Sequence, residues 1–445
     1  MKKLRPSKGA GDLVAAMAVI WTIAVIGMGL AAAYALGVPP WNAPDEPAHY
    51  NYARIVATTR ELPELKAGDW DAARLEALKS AKFPPSESVD SIRYESHQPP
   101  LYYLLSAPAY GAAAERPTED RVELMRLLSV ALSGVTVILA FFTVRAIFPG
   151  DLMLPAGVAS FMAFLPMRSA IMGSITNDAL AEMVAVLLLL VVVRITRDGL
   201  DGKYSLLLGV VLGVALLTKM TLYGLVGLGL LASATAPWGR GQNAPRIQRV
   251  LTVVVIALAV SGWWFGRNGL VYGWPDIFGM ARHDQVVVGQ PRLEALDGGA
   301  LSYLATTLFK SFWGQFGWMG ILMDERLYLA LGIVSGMAAL GFGLFLWRVA
   351  FTKGLLEPYQ KRALLFMGLA LGVVVAQVAF YNLTFIQAQG RYLYPALLPI
   401  ALFFVLGLRE LMSPVHARLL MALSMGSLAA LNLVCLTRFV VPYFQ

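Results

Sequence analysis

The segment PPLYYLLSAPAYGAAA (residues 99–114) decides how this chain is threaded. It is apolar, but it opens on two prolines and carries a third at Pro108. It also falls short of the roughly 20 apolar residues that cross a bilayer as a helix. If it crosses, every later loop changes side. If it lies on the surface, the basic loops fall together: Arg194, Arg197 and Lys203; Arg240, Arg246 and Arg249; Arg348, Lys353, Lys361 and Arg362; Arg409 and Arg418. These then share the side of Lys2, Lys3, Arg5 and Lys8. Lys and Arg gather in cytoplasmic loops. An interfacial or re-entrant helix is therefore expected at 99–114.

The rest of the chain fits that choice. Of 445 residues, 58% are hydrophobic and 14% charged, against roughly 25% charged in soluble domains. The chain reads as an all-α polytopic membrane protein, with each span satisfying its own backbone. Apolar segments fall near 13–36, 125–148, 151–173, 178–194, 203–218, 220–237, 249–270, 327–349, 362–385, 390–410 and 415–440. That gives about eleven spans, N-terminus inside and C-terminus outside. The segment 203–237 is the tightest, holding two short spans with a turn near Thr218-Lys219. The first apolar run resembles a signal peptide, but its core exceeds the roughly 7–15 residues of a cleaved one, so it reads as an uncleaved first span. The net charge of +8 belongs to the inner loops and calls for no nucleic-acid partner. The one cysteine, Cys435, permits no internal disulfide. Residues 1–445 read as one transmembrane unit with two long outer loops, 37–124 and 271–326. The first is expected to hold helices near 45–60 and 69–82, a turn at 83–88, and the 99–114 helix. In the second, LATTLFKSFWGQFGWMG (304–320) suits a helix at the membrane surface.

This threading places the unusual polar residues on the outer side. NAPDEPAHYNYARI (42–55) leaves the first span with Asp45, Glu46 and His49. Asp45 before Glu46-Pro47 reads as a helix N-cap. It also shares a helix face with His49, four residues on. His97 and Gln98 open the interfacial helix. Asn177 and Asp178 in SITNDAL sit at the start of a span, with Glu182 one turn deeper and Arg168 as its expected partner. Lys219 is in an outer turn, Arg267 at the outer end of GWWFGRNGLVYG, and Arg391 with Tyr392 in QAQGRYLYP. A cation at a helix start opposes the dipole and needs an anion. Arginine suits a phosphate through bidentate bonds, and Gly390 allows close backbone approach.

PDEPAHYNYARI, then HQPPLYYLL, then MRLLS opening the next span, resemble the GT-C superfamily of membrane glycosyltransferases. Its members include the dolichyl-phosphate-mannose protein mannosyltransferases and the lipid A aminoarabinose transferases. The resemblance implies a catalytic acid just after the first span, matched by Asp45-Glu46. It implies a His-Pro-Pro-Leu or Lys-Pro-Pro-Leu element, matched by His97 with Pro99, Pro100 and Leu101, although Gln98 intervenes. A second acid opening a later outer loop is matched by Asp178. SITNDAL, WWFGRNGLVYG and QGRYLYP resemble a bacterial multi-pass branch, implying the plasma membrane of a bacterium.

What it implies chemically is an inverting glycosyltransferase at the outer face. A polyprenyl-phosphate-linked sugar would pass to a hydroxyl of a glycan, lipid or protein. Asp45 is then the general base, with Glu46 and His49 beside it. His97, Lys219, Arg267, Arg391 and Tyr392 would bind the donor phosphate. Asp45, Glu46 and Asp178 are candidate ligands for a divalent cation, Mg²⁺ or Mn²⁺. The alternative is a transporter or flippase of a lipid-linked or anionic solute, since intramembrane charges also mark transport paths. An assembly scaffold would need no converging acids and cations.

Overall fold

The computed structural model describes residues 9–237, 245–293, 295–413 and 415–445. Lys2, Lys3, Arg5, Lys8 and Arg240, used above for orientation, lie outside the described residues. The described residues are mostly helical. α1 (Gly9–Gly37) leads into α2 (Glu46–Thr59) and α3 (Ala72–Ser80). After a 3₁₀ turn, Tyr94–His97, come α4 (Leu101–Ala112), α5 (Thr118–Ile147), α6 (Met153–Phe164), α7 (Pro166–Met172) and α8 (Asp178–Asp198). α9 (Gly202–Leu216) and α10 (Tyr223–Thr235) flank the short turn Met220–Leu222. α11 (Arg246–Tyr272), α12 (Met280–Val286) and α13 (Gly298–Gly314) follow. A two-stranded hairpin, β1 (Gln315–Phe316) with β2 (Ile321–Leu322), precedes α14 (Glu325–Phe351) and α15 (Pro358–Asn382). A 3₁₀ segment, Gly390–Ala396, opens α16 (Leu397–Leu411). α17 (Ala417–Val434) continues through a π-helical turn into α18 (Val441–Phe444).

Among the described residues, eight helices are long and apolar enough to cross a membrane. α6 and α7, bent by 62° where Pro166 breaks the backbone ladder, make a ninth if taken as one span. α9 and α10 are apolar but short. The expected eleven spans thus resolve into eight or nine of full length and two short helices. α4 has 12 residues, about 18 Å of rise, which is too short to cross. Its start is tied down where the Leu101 amide donates to the Leu217 carbonyl at 3.0 Å. The expected surface helix over 304–320 is corrected: α13 stops at Gly314, and the rest turns back as the β1–β2 hairpin.

α8 is the most buried of the long helices, packed against α5, α9, α10 and α15. α14 and α16 approach until their backbones touch. A Cβ on Gly407 would lie 1.9 Å from the Ala338 carbonyl oxygen, the close packing that small residues give membrane helices. The end of α1, the start of α8, the α9–α10 turn and the start of α16 meet at one end of the bundle. The basic residues of the loops after α8, α14 and α16 lie at the other.

Candidate active site

Two adjacent acids, Asp45 and Glu46, take opposite directions. Asp45 sits at φ 63°, the left-handed region, which is uncommon outside glycine although Asp and Asn tolerate it best. Asp45 stands at the N-cap of α2, as expected, and its carbonyl accepts from the His49 amide at 3.1 Å, but its side chain makes no capping bond. Glu46 begins α2 and is 0% exposed. Arg126 Nε and Nη2 grip its carboxylate at 2.7 Å each. The amides of Trp41 and Ile175 complete it at 2.9 and 3.1 Å. Arg126 also donates to the carbonyls of Ala35 and Val38. Glu46 therefore fastens the end of α1 to α5 and to the approach of α8. It has no oxygen left for catalysis or metal, which corrects both expected roles. Breaking a buried ion pair leaves an uncompensated charge. Glu46→Gln should cost about 3–5 kcal/mol of stability, read as a large fall in Tm. An unchanged Tm would refute the fastening role.

Asp45 faces the other way. Its Oδ1 accepts from the Tyr94 hydroxyl at 2.6 Å, and its Oδ2 pairs with Arg391 Nη2. Arg391, 3% exposed, also reaches Asp178 through Nη1 at 3.4 Å and Gln389 through Nε at 2.7 Å. Lys219 Nζ closes the network on Asp178 Oδ1 at 2.5 Å. Burial raises the Asp45 carboxyl, but the Arg391 charge, with His49 and the Tyr94 hydroxyl, holds it well below the usual range. It is a charged carboxylate at every physiological pH.

His49 hydrogen-bonds the Tyr103 hydroxyl at 2.9 Å, and burial pushes it down to about 3. His97 Nδ1 meets the Tyr94 carbonyl at 3.0 Å. Burial and the His283 ring, 4.7 Å away, bring His97 to about 3. Both imidazoles are thus neutral. Three of the four histidines, His49, His97 and His283, line one cavity.

That cavity has a volume of about 800 Å³, room for a small-molecule substrate. Asp45, Glu95, Lys219, Arg391 and Tyr392 are among its polar lining residues; Met220, Val374, Val378 and Phe380 are among its apolar ones. The Tyr392 hydroxyl is held by Gln387 at 3.0 Å. Gly390 serves protein packing, against expectation: a Cβ there would meet the Phe312 amide nitrogen at 2.2 Å. Its own amide donates to Ser311 Oγ at 2.8 Å. The end of α13 thereby fixes Arg391. Arg267 is corrected as well. It donates to the carbonyls of Leu62 and Pro63 at 3.0 and 2.8 Å and lies over the Trp264 ring, outside the cavity. Glu182 pairs with Arg168 at 2.9 Å, as expected.

Among the described residues no three His, Cys, Asp or Glu side chains converge as metal ligands. Of the expected trio, Glu46 points to Arg126, and Asp45 and Asp178 share the guanidinium of Arg391. This donor set does not fit a divalent cation. Tyr94, Glu95, Gln389, His283 and Arg126 were missed from sequence. Tyr94 and Glu95 lay three and two residues before the His97 motif, and Arg126 lay inside MRLLS.

A family described as dolichyl-phosphate-mannose-protein mannosyltransferase matches residues 118–264, about a third of the chain, including Asp178 and Lys219. No curated protein matches the sequence. Among solved structures, ArnT from Cupriavidus metallidurans bound to undecaprenyl phosphate superposes with TM-score 0.53 at 15% identity, covering 96% of this chain and 65% of that one. Its apo form gives 0.56 at 15% identity, over 96% and 64%. The oligosaccharyltransferase of Archaeoglobus fulgidus, in complex with Zn and sulfate, gives 0.47 at 14% identity, over 93% and 52%. The chain thus spans slightly less than two thirds of the ArnT length.

Proposed function

We propose that this chain, whose fold is similar to that of ArnT and whose residues 118–264 match a mannosyltransferase family, is an inverting glycosyltransferase of the GT-C kind taking its sugar from a polyprenyl-phosphate donor. One observation carries the reading: Asp45, Arg391, Asp178 and Lys219 form a continuous chain of ion pairs, of which Asp45, Arg391 and Lys219 line a cavity that also has apolar walls. The polyprenyl chain suits Met220, Val374, Val378 and Phe380. The phosphate suits Arg391 and Lys219, with His97 and Tyr392 nearby.

Asp45 is the base. It takes the proton of an acceptor hydroxyl, whose oxygen attacks the anomeric carbon from the face opposite the phosphate. The anomeric carbon–oxygen bond breaks, and polyprenyl monophosphate leaves with the electron pair. The low affinity of Asp45 for protons does not prevent this, because two charge changes run together. Asp45 loses its charge as the leaving phosphate gains one, so Arg391 passes from the carboxylate to the phosphate. Cations fixed in advance where charge develops are usually the largest catalytic contribution. Asp178 keeps Arg391 and Lys219 in place, and His49 supports Asp45 from α2. No step is routed through a metal. A glycan, lipid or protein hydroxyl serves as acceptor.

The basic residues at the far end of the bundle support a reading in which that end is cytoplasmic and the cavity opens at the outer face of a bacterial plasma membrane. The test uses purified protein in sealed vesicles of known orientation, with a polyprenyl-phosphate sugar and a glycan acceptor. Transfer should occur only where the cavity faces the added acceptor. Donor crossing between leaflets with no product would favour a flippase instead.

A further inference from the structure

The ion network holds its two acids with its two cations, and a third acid stands beside them. Asp45 takes Arg391, and Asp178 takes Arg391 and Lys219. Lys79, also on the cavity wall, is engaged with Glu76 at 2.5 Å. Glu95 lines the cavity, and among the described residues its side chain has no hydrogen bond and no ion pair. Its place is fixed from both sides. Tyr94 is bonded to Asp45, and the His97 ring to the Tyr94 carbonyl.

An ionised Glu95 would add a negative charge beside Asp45 with no cation of its own. Like charges sharing a site do not both ionise readily. A carboxyl that keeps its proton can both donate and accept. Enzymes do use a neutral carboxylic acid to donate to a developing oxyanion.

Resting on the donor reading above, we propose that Glu95 donates a hydrogen bond from its carboxyl to the phosphate of the donor lipid, a third grip beside Arg391 and Lys219. The charged groups around it are Asp45, Asp178, Lys219 and Arg391. The neutral titratable ones are Tyr94, Tyr103 and Tyr381, which sense its charge, and the cavity imidazoles His49, His97 and His283. Burial and the charge of Asp45 push Glu95 up to about 8. It holds its proton at neutral pH and loses it just above. An arriving phosphate raises it further, so binding and proton retention reinforce each other. His49 and His97, near 3, stay neutral across this range, and burial pushes Tyr94 and Tyr103 up.

The experiment measures binding of polyprenyl monophosphate to the full chain in detergent. It runs above about pH 7.5, where the second ionisation of a phosphate monoester, near 6, is complete. Parental affinity should fall about tenfold up to about pH 9.5, the loss of one hydrogen bond to a charged group. Glu95→Gln keeps a donor and cannot ionise. It should bind at the lower pH within about threefold of the parent and show no fall. Glu95→Ala should bind weakly throughout. A parental affinity that is flat with pH, or a Glu95→Gln variant that falls in parallel, overturns the proposal alone. Absence of polyprenyl phosphate binding at every pH overturns the donor reading and this grip with it.

Discussion

Asp45→Asn is expected to reduce turnover by about 10²–10⁴-fold, the usual loss when a general base is removed, while leaving a folded protein. Asn tolerates the left-handed backbone at position 45, where φ is 63°, and it can still accept from Tyr94. What goes is the charge that takes the proton and holds Arg391. The freed guanidinium then meets an incoming phosphate without competition, so binding of polyprenyl phosphate should be undiminished. The measurement pairs single-turnover transfer with lipid binding. Turnover near the parental rate would reduce Asp45 to a counter-ion for Arg391.

Arg391 produces the other large effect. Lysine keeps its charge but loses the planar fork that reaches Asp45, Asp178 and Gln389 at once. Arg391→Lys should bind polyprenyl phosphate about tenfold to a hundredfold less well, the value of a charge-assisted hydrogen bond of about 1.5–3 kcal/mol. Arg391→Ala should bind less well again. It should also unfold at lower temperature, because Asp45 and Asp178 lose a buried partner. The loss should not depend on which acceptor is offered. Undiminished binding in Arg391→Lys would remove the phosphate role and leave a purely structural one.

The helical membrane fold was legible because it rests on bulk properties. The prolines, the short apolar run and the charge asymmetry together gave the expectation that 99–114 does not cross, and α4 has only 12 residues. The Glu182–Arg168 pair was legible because one deep acid and one nearby arginine leave little choice. Side-chain partnerships in the first loop were not. Asp45 and Glu46 are neighbours of the same chemical type, and only the left-handed turn at Asp45 sends one to the cavity and the other to Arg126. Arg391 was the stronger candidate on paper, but both Arg267 and Arg391 were expected at the donor phosphate. The carbonyls of Leu62 and Pro63, 205 and 204 positions away, claim the first. Asp45, 346 positions away, claims the second. Gly390 was rightly singled out for close approach, but what approaches is the backbone of α13. Pattern reading ranks residues by type and local spacing, whereas these assignments depend on contacts between distant segments. Glu95 escaped for a different reason: its interest lies in having no side-chain partner among the described residues, and that is visible only once the nearby cations Lys219 and Arg391 have been assigned to Asp45 and Asp178.

The shortness of α9 and α10 bears on the membrane itself. With 15 and 13 residues, they rise about 22 and 20 Å, against roughly 30 Å of hydrocarbon. Tilting cannot correct this mismatch, since a tilted short helix reaches less far along the bilayer normal. A bilayer thinning to match a short span does so at fractions of a kcal/mol per Å. Thinning around this pair would bring headgroup phosphates closer to the depth of their connecting turn, which carries Lys219 on the cavity wall.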